Sequence, residues 1–540
     1  VHTRDYMEKF YKRIIPLLDL PKDEFARQKI ALCRELGMKH IPANTEIIAH
    51  IGKQKKFRGK PVRTISGVAP IAIMTKPWNC PHGRCTFCPG GIKSPFGDVP
   101  QSYTGHEPAT MRAMRNHYDA YLQVMNRLQQ YHLLGHDHDK AEVIIMGGTF
   151  PAMDKEYQEE FVMNTFKAMN DFQIIKDFNE FFEVFDEGKE RYERIQNKLR
   201  EMKGTSTLEK EHECNETAKV RCIGLTIETK PDWGMLEHGN QMLKLGCTRV
   251  ELGIQSVYDD VLAHTHRGHT VADTKKSSQV LKDLGFKINA HYMPGLPLTD
   301  KKRDLEGMKQ LFSDPDYRPD MLKIYPCMVS KNTPLWRDWK EGEFTPLSTE
   351  EASALIKAFK PSVPEYCRIM RVQRDVPTKW WEAGVGITNL RQHMHNQKVE
   401  CRCIRCREPK DKPVENPELI AREYKASGGK EFFISFEDKK QDVIAGFIRM
   451  RFPKEFLRKE ITPTSAIIRE LHVYGTAAAI GDEGKVQHKG LGKQLLAKAE
   501  DLAKKAGKDK MVVIAGIGVK EYYQKLGYEK EGPYVVKSVL

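Results

Sequence analysis

Cys80, Cys85 and Cys88 stand at C-x4-C-x2-C within the run Cys-Pro-His-Gly-Arg-Cys-Thr-Phe-Cys-Pro-Gly-Gly that ends at Gly91. Three thiolates on one short loop can each take one iron of a [4Fe–4S] cube. The loop has no fourth cysteine, so the fourth iron is left open to a ligand from outside the protein. An open corner marks a catalytic cluster rather than an electron carrier. The Pro-Gly-Gly after Cys88 suits a tight loop whose backbone comes close to the cluster. The alternative is a zinc knuckle, with His82 as its fourth ligand.

A second thiol group, Cys401, Cys403 and Cys406, is spaced C-x-C-x2-C, with His393 and His395 just upstream. Three cysteines and one histidine make a closed tetrahedral zinc site that would fix an interdomain segment. Either histidine could be the fourth ligand, and reduced free thiols are the competing reading. A third stretch, Gln487-His488-Lys489-Gly490-Leu491-Gly492-Lys493, opens a helix with Leu495, Leu496, Ala499 and Leu502 on its apolar face. The pattern Q-x-x-G-x-G before a helix lets backbone N–H groups meet a pyrophosphate. With a strand at Ile467 to Tyr474, another at Val512 to Ile517 and a helix at Lys520 to Lys525, it fits a GNAT acyltransferase fold that binds coenzyme A.

The elements that position these motifs are legible as period. From about 65 to 380, short β-branched runs alternate with helical patterns. Ile71 to Met74, Val143 to Met146, Ile223 to Ile227, Arg249 to Gly253, Lys287 to Tyr292 and Leu322 to Tyr325 read as buried parallel strands. Repeated βα units of this kind predict an α/β fold, a partial (β/α)6 barrel of the TIM type. Chemistry in such folds gathers at the C-terminal strand ends. The cysteine loop follows the first strand, Gly147-Gly148-Thr149 the second, Glu228 the third and Gln255 the fourth. Residues 155 to 215 read as a charged helical insertion, and Cys214 and Cys222 as structural. Antiparallel strands are expected at Glu431 to Phe436 and Val443 to Met450. The expected division is a basic helical region at 1–64, a barrel domain at 65–384, a zinc-binding linker at 385–416 and an acyltransferase-like domain at 417–540.

The chain has 540 residues, enough for two to four cores. Its formal net charge is +14, which calls for a partner such as nucleic acid or reflects a generally basic proteome. Lys53, Lys55, Lys56, Arg58, Lys60 and Arg63 form a basic stretch that could grip phosphates or simply be solvated. No apolar run approaches a membrane span and no signal peptide opens the chain, so no membrane partner is expected. Six of the twelve cysteines sit in the two tight clusters, which fits metal chemistry in a reducing cytoplasm.

CPHGRCTFCPGG, QSYTGHEPATMRA, IIMGGTF, IGLTIETKPD, RVELGIQSVYDD, HYMPGLP, RIMRVQRDVP, RELHVYG, QHKGLGK and EYYQKLGY follow one another in this order. The chain closely resembles the Elongator catalytic-subunit family over nearly all its length. That family joins a radical S-adenosylmethionine (SAM) domain to a lysine-acetyltransferase-like domain. The usual radical SAM loop is C-x3-C-x2-C, so the longer first spacer departs from the superfamily. The resemblance implies a [4Fe–4S] cluster on Cys80, Cys85 and Cys88, and SAM against Gly147 and Gly148, with Glu228 and Gln255 as further cofactor contacts. It implies acetyl-CoA contacts at Lys140, Glu470, Leu471, His472, Val473, Gln487, Gly490, Leu491, Gly492, Lys493 and Tyr523, with Lys140, Tyr522 and Tyr523 nearest the chemistry. Lys140 could otherwise be a surface lysine and Tyr522 a core residue. The implied activity is carboxymethylation of the wobble uridine of tRNA, in which a 5′-deoxyadenosyl radical activates the acetyl methyl and 5-carboxymethyluridine results. The rival is a protein lysine acetyltransferase with a structural iron–sulfur domain. A homodimer, and a chain working without other Elongator subunits, both stay open.

Overall fold

Seven parallel strands form the first sheet: β1 (Val68–Met74), β2 (Lys140–Met146), β3 (Arg221–Thr229), β4 (Cys247–Gln255), β5 (Lys287–Tyr292), β6 (Met321–Ile324) and β7 (Arg368–Val372). The computed structural model describes residues 2–38, 41–52, 67–186, 188–374, 376–395, 399–409, 412, 414–474 and 490–539. The basic stretch at Lys53 to Arg63 and Gln487 lie outside the described residues. Spatial order in the sheet follows chain order. Each crossover therefore returns over the same face, and the other face curves around a cavity. The end strands β1 and β7 do not pair, so the barrel is open on one side.

The expected six strands are all present, and β7 is an addition. Its Arg-Ile-Met-Arg-Val run sets Arg368 and Arg371 on the cavity lining, so it lacks the apolar continuity that marks a buried strand. Of the expected insertion, Lys155–Asp171 is the crossover helix between β2 and β3, packed on Ala120–Leu133. Phe178–Phe181, Arg191–Lys203 and Leu208–Asn215 are the inserted helices.

The second sheet holds β8 (Glu418–Ala426), β9 (Gly429–Asp438), β10 (Val443–Phe452), β11 (Ser465–Val473), β12 (Lys510–Val513), β13 (Glu529–Glu531) and β14 (Tyr534–Ser538), in the order β8-β9-β10-β11-β12-β14-β13. β11 and β12 are parallel neighbours only from Ser465 to Ile468 and from Lys510 to Val513. One more bond joins them, from Ile514 N–H to Ile468 C=O at 3.2 Å, and β11 then runs on to Val473 paired only with β10. The strand expected over Val512 to Ile517 thus ends earlier, and Ile517–Val519 is a 3-10 turn. This parting opens a wedge in the sheet.

Helix Leu491–Lys505 covers one face of the second sheet, burying Leu491, Leu495, Leu496, Ala499 and Ala503. The other face closes the floor of the barrel, where the strands of the first sheet begin. Phe433, Phe447, Ile467, Ile514 and Tyr534 share one apolar cluster with the barrel strands. A Cβ on Gly516 would stand 2.2 Å from the Ile223 carbonyl, so the two sheets touch backbone to backbone. Three N-terminal helices, His2–Ile14, Lys22–Glu35 and Asn44–Ile51, keep a small core of their own around Phe10, Ile14, Leu32 and Ile47.

Candidate active site at the two ends of the barrel

The cysteine loop lies over the C-terminal ends of the strands. Cys85 and Cys88 are buried and Cys80 is partly so. Arg267 Nη1 donates to Cys85 Sγ at 3.2 Å, and its Nη2 to the Gly253 carbonyl at 2.8 Å. Cys80 Sγ and Thr149 Oγ1 are 3.7 Å apart. Burial pushes the Cys80 thiol up to about 11 and raises that of Cys88 as well. His82 Nε2 lies 3.2 Å from Cys85 Sγ, and burial drives the imidazole down to about 3, so it stays neutral. Among the described residues, the group whose ligand atoms all lie within 4.8 Å of one another is Cys401, Cys403 and Cys406; the loop cysteines and His82 are not in it. One ion needs converging ligands, whereas a cube takes each thiolate on a separate iron. The geometry of this loop suits the cube and not the knuckle.

Gly147 and Gly148 sit beside the loop in the left-handed region, with φ of 135° and 99°. A Cβ on Gly147 would fall 2.1 Å from Thr75 Oγ1, and one on Gly148 would fall 3.0 Å from Gln101 Cβ and 3.7 Å from Cys80 Sγ. Only glycine leaves this room for a ligand next to the cysteines. Glu228 and Gln255 both line the cavity. Tyr103 Oη donates to both Glu228 oxygens, at 3.0 and 2.9 Å, and burial pushes the carboxyl up to about 7. Gln255 takes a φ of 62° where the pairing of β4 with β5 shifts register. Tyr103, Lys230 and Arg267 also line the cavity, and the sequence alone does not mark them as site residues. They lie in quoted motifs or near them, but no ligand spacing singles them out.

At the floor, β11 alternates. Glu470 accepts from Arg449 Nε at 2.7 Å, and its carboxyl is held low: burial opposes the charge, but Arg449 and Lys287 overcome it. His472 packs against Phe447 and Tyr474, with ring centroids 5.7 and 4.4 Å away. Leu471 and Val473 pack on the side of the covering helix. Gly490 caps that helix in the left-handed conformation, with φ of 72°, and exposes the N–H groups of Leu491, Gly492 and Lys493. Tyr522, 38% exposed, brings its hydroxyl within 3.1 Å of where a Cβ on Gly492 would be. Tyr523 is buried, lines the cavity, and has its phenol pushed up by burial. The wedge beyond Ile468, where the β12-facing edge of β11 is left without a strand partner while its other edge stays paired with β10, has a helix N-terminus alongside and fits the pantetheine arm and pyrophosphate of coenzyme A. Lys140 opens β2 in register with Val68 and Arg221; it is partly exposed and outside the cavity lining. Arg221 pairs with Glu521 at 2.9 Å, next to the two tyrosines.

One cavity of about 2000 Å³ joins the two ends, lined by Cys80, Cys85 and Cys88 above and by Glu470, His472 and Tyr523 below. Between them Glu251, almost fully buried, is met by Lys323, by His291 Nε2 at 2.9 Å and by Asn289 Nδ2 at 3.2 Å. Cys401, Cys403 and Cys406 converge beside the open edge of the barrel. Hydrogen bonds among the three thiols hold Cys403 well below its ordinary range and push Cys401 and Cys406 up, so the group shares its protons around one sulfur. His393 is exposed and outside the converging group. The helix Leu390–His395 includes the second candidate histidine.

A half-open parallel barrel carrying a three-cysteine loop, closed at its floor by a split acyltransferase sheet, defines a radical SAM protein joined to a GNAT domain. Residues 78–306 match the Radical SAM superfamily, 319–400 the Radical_SAM C-terminal domain and 400–528 the acetyltransferase (GNAT) family. The chain is 43% identical to the tRNA uridine(34) acetyltransferase of Methanocaldococcus jannaschii, over 96% of this chain and 94% of that one. It is 38% identical to Elongator complex protein 3 of Homo sapiens, over 98% and 96% of the two chains. A solved structure of Methanocaldococcus infernus Elp3 with an N-terminal deletion superposes with a TM-score of 0.72 at 40% identity, covering 88% of this chain and all of that one. The chain belongs to the Elongator complex protein 3 family.

Proposed function

We propose that this chain modifies the wobble uridine of tRNA and builds a carboxymethyl group on its C5 from SAM-dependent chemistry and acetyl-CoA. The observation that carries the reading is the single cavity shared by the cysteine loop and the coenzyme A wedge. A separate acetyltransferase and a structural cluster would have no need of a common chamber. The names of the relatives, tRNA uridine(34) acetyltransferase among them, support the tRNA substrate.

Cys80, Cys85 and Cys88 would hold a [4Fe–4S] cluster, and Gly147, Gly148, Glu228 and Gln255 the SAM beside it. Together the bound groups supply one-electron cleavage of SAM to a hydrogen-abstracting 5′-deoxyadenosyl radical. The chain's own part is to seat and shield. Arg267 steadies the Cys85 sulfur, the Tyr103–Glu228 pair shapes the cofactor pocket, and the covered floor keeps bulk water from the acyl group. A flexible anticodon loop can offer an unstacked uridine to such a pocket. Lys140, Tyr522 and Tyr523 lie on the acyl-CoA side and would position the donor. Cys401, Cys403 and Cys406 would hold a structural zinc that pins the linker between the sheets.

Anaerobic incubation with SAM, reductant, tRNA and acetyl-CoA deuterated at the methyl tests the reading. One deuterium should appear in 5′-deoxyadenosine and two in the carboxymethyl carbon. Unlabelled 5′-deoxyadenosine together with labelled acetyl-lysine would overturn it in favour of protein acetylation.

A further inference from the structure

Between the cysteine loop and the floor, Glu251 on β4, His291 on β5 and Lys323 on β6 present three ionisable groups to the same cavity. Neither cofactor accounts for them. His291 and Lys323 are register partners on neighbouring strands, which sets their backbones about 5 Å apart. Glu251, 1% exposed, meets both of them, and its other oxygen accepts from Asn289 Nδ2 at 3.2 Å.

This cluster has one protonation pattern. Burial opposes the charge on Glu251, but Lys323 and then His291 overcome it and hold the carboxyl well below its ordinary range. An ionised carboxylate only accepts, so His291 Nε2, 2.9 Å away, carries a proton and donates it. Burial, and then the Lys323 charge, push the imidazole down to about 4. A neutral ring protonated at Nε2 keeps its lone pair on Nδ1. Among the described residues nothing bonds that Nδ1, and the edge of Tyr325, with ring centroids 5.5 Å apart, fixes the ring. Lys323 spends one N–H on Glu251 and has two left. The cavity wall therefore shows a hydrogen-bond acceptor with a donor beside it, in an order the fold sets.

We infer that His291 and Lys323 are the base-reading edge of the site: His291 Nδ1 accepts from the N3–H of a uracil ring, and the Lys323 ammonium donates to the carbonyl oxygen next to it. This rests on the reading of the wobble uridine as substrate. The pairing edge of uracil runs acceptor, donor, acceptor, so it fits whichever carbonyl Lys323 takes. Cytosine has a bare N3, whose lone pair would face that of His291. Accepting it would need a second proton on His291, which burial resists. An extruded base is read on this edge. The C5 carbon lies beyond C4 on the ring and stays uncovered. Glu251 is the register partner of Glu228, and Tyr292, next to His291, is that of Gln255. A uracil held here lies beneath the cofactor pocket.

The test blocks one atom of the base at a time. Full-length tRNA carrying uridine, 3-methyluridine or cytidine at the wobble position is given to the parent, His291→Phe and His291→Gln, with SAM, acetyl-CoA and reductant, and kcat/KM is compared. The parent should favour uridine over either of the others by about a thousandfold or more, the scale on which a site built to hydrogen-bond a group rejects its absence. His291→Phe keeps a ring but has no acceptor, so its ratio of uridine to 3-methyluridine should collapse toward unity. His291→Gln can donate to Glu251 and accept from N3–H, so most of the ratio should return. A histidine that only supports the fold would lower all three substrates alike. An unchanged ratio in His291→Phe therefore overturns the proposal, as does a parent that modifies cytidine as readily as uridine. His291→Met stands in should the phenylalanine variant not fold. A parent that modifies no wobble uridine brings down the proposed function, and binding then decides the base-reading edge. Anticodon stem-loop RNA with uridine should bind the parent about tenfold more tightly than the cytidine form. That preference should vanish in His291→Phe, and its absence from the parent overturns the inference.

Discussion

Arg469 on β11 meets Asp320, at the start of β6, with both prongs: Nη1 to Oδ2 at 2.8 Å and Nη2 to Oδ1 at 2.6 Å, and neither side chain is exposed. The pair crosses the boundary between the two sheets and does not stand alone. Arg469 also reaches Glu431 at 2.9 Å, Arg451 joins Glu431 to Asp283, and Arg449 donates to the Tyr366 carbonyl at 2.7 Å. Buried ions this well coordinated fix geometry more than they add stability. Their effect is to hold the acyl-CoA wedge at a set angle to the barrel floor.

Asp320→Asn should cost about 3–5 kcal/mol, because it leaves a buried guanidinium short of its counter-charge. Urea unfolding reads this directly. Burial opposes the charge on Asp320, but Arg469 overrides it and holds the carboxyl far below its ordinary range. A depressed carboxyl contributes in full above its unfolded pKa of about 3.9 and loses that contribution only as pH falls below it. The parent and Asp320→Asn should therefore differ by the same amount at pH 6 and pH 8. A gap that widened from one to the other would contradict the assignment.

Cys88→Ala should abolish the iron–sulfur absorbance of anaerobically reconstituted protein and all uridine modification. Acetyl-CoA binding should stay within about twofold, since the wedge belongs to the other sheet. Modification that persisted in this variant would remove the basis for the radical reading.

What was legible in the sequence follows from how locally each feature is encoded. The barrel strands announce themselves where the runs are apolar, as in Val68–Met74. β7 hid because its arginines face a polar cavity, and β8 because its residues alternate between exposed and partly buried. The cysteine loops depend on spacing alone and could be read off. The Tyr103–Glu228 bond spans 125 positions, and the Arg249–Glu142 pair 107. No local pattern reports such partners. Lys140, drawn from family likeness, falls near the tyrosine helix through Arg221 but off the cavity itself.

Cys403→Ser should lower thermal stability more than it lowers the specific activity of the protein that stays folded. The three sulfurs converge on a point beside Ile404, which is fully buried and whose N–H donates to the Cys367 carbonyl at 2.9 Å. Loss of a cation there would loosen the segment that ties β7 to β8. Elemental analysis of anaerobically purified protein should find one zinc per chain, and a reading near zero would argue against the site.

The last expectation concerns pH and the cofactor pocket. Burial raises the Glu228 carboxyl to about 7, against the pull of Lys323 and the Tyr103 hydroxyl. Below that pH the group is neutral and above it anionic. SAM brings a sulfonium and an ammonium, and a carboxylate facing them attracts where a neutral acid does not. A pKa of 7 leaves about a tenth of the groups ionised at pH 6 and about nine-tenths at pH 8. SAM should therefore bind reconstituted protein up to about tenfold more weakly at pH 6 than at pH 8. Glu228→Gln should flatten that dependence at the weaker level. Tyr103→Phe removes a hydrogen bond that favours the anion, so the transition should move to higher pH rather than vanish. Equilibrium binding across pH 6 to 8.5 distinguishes the three proteins. A slope unchanged in Glu228→Gln would place the titrating group elsewhere.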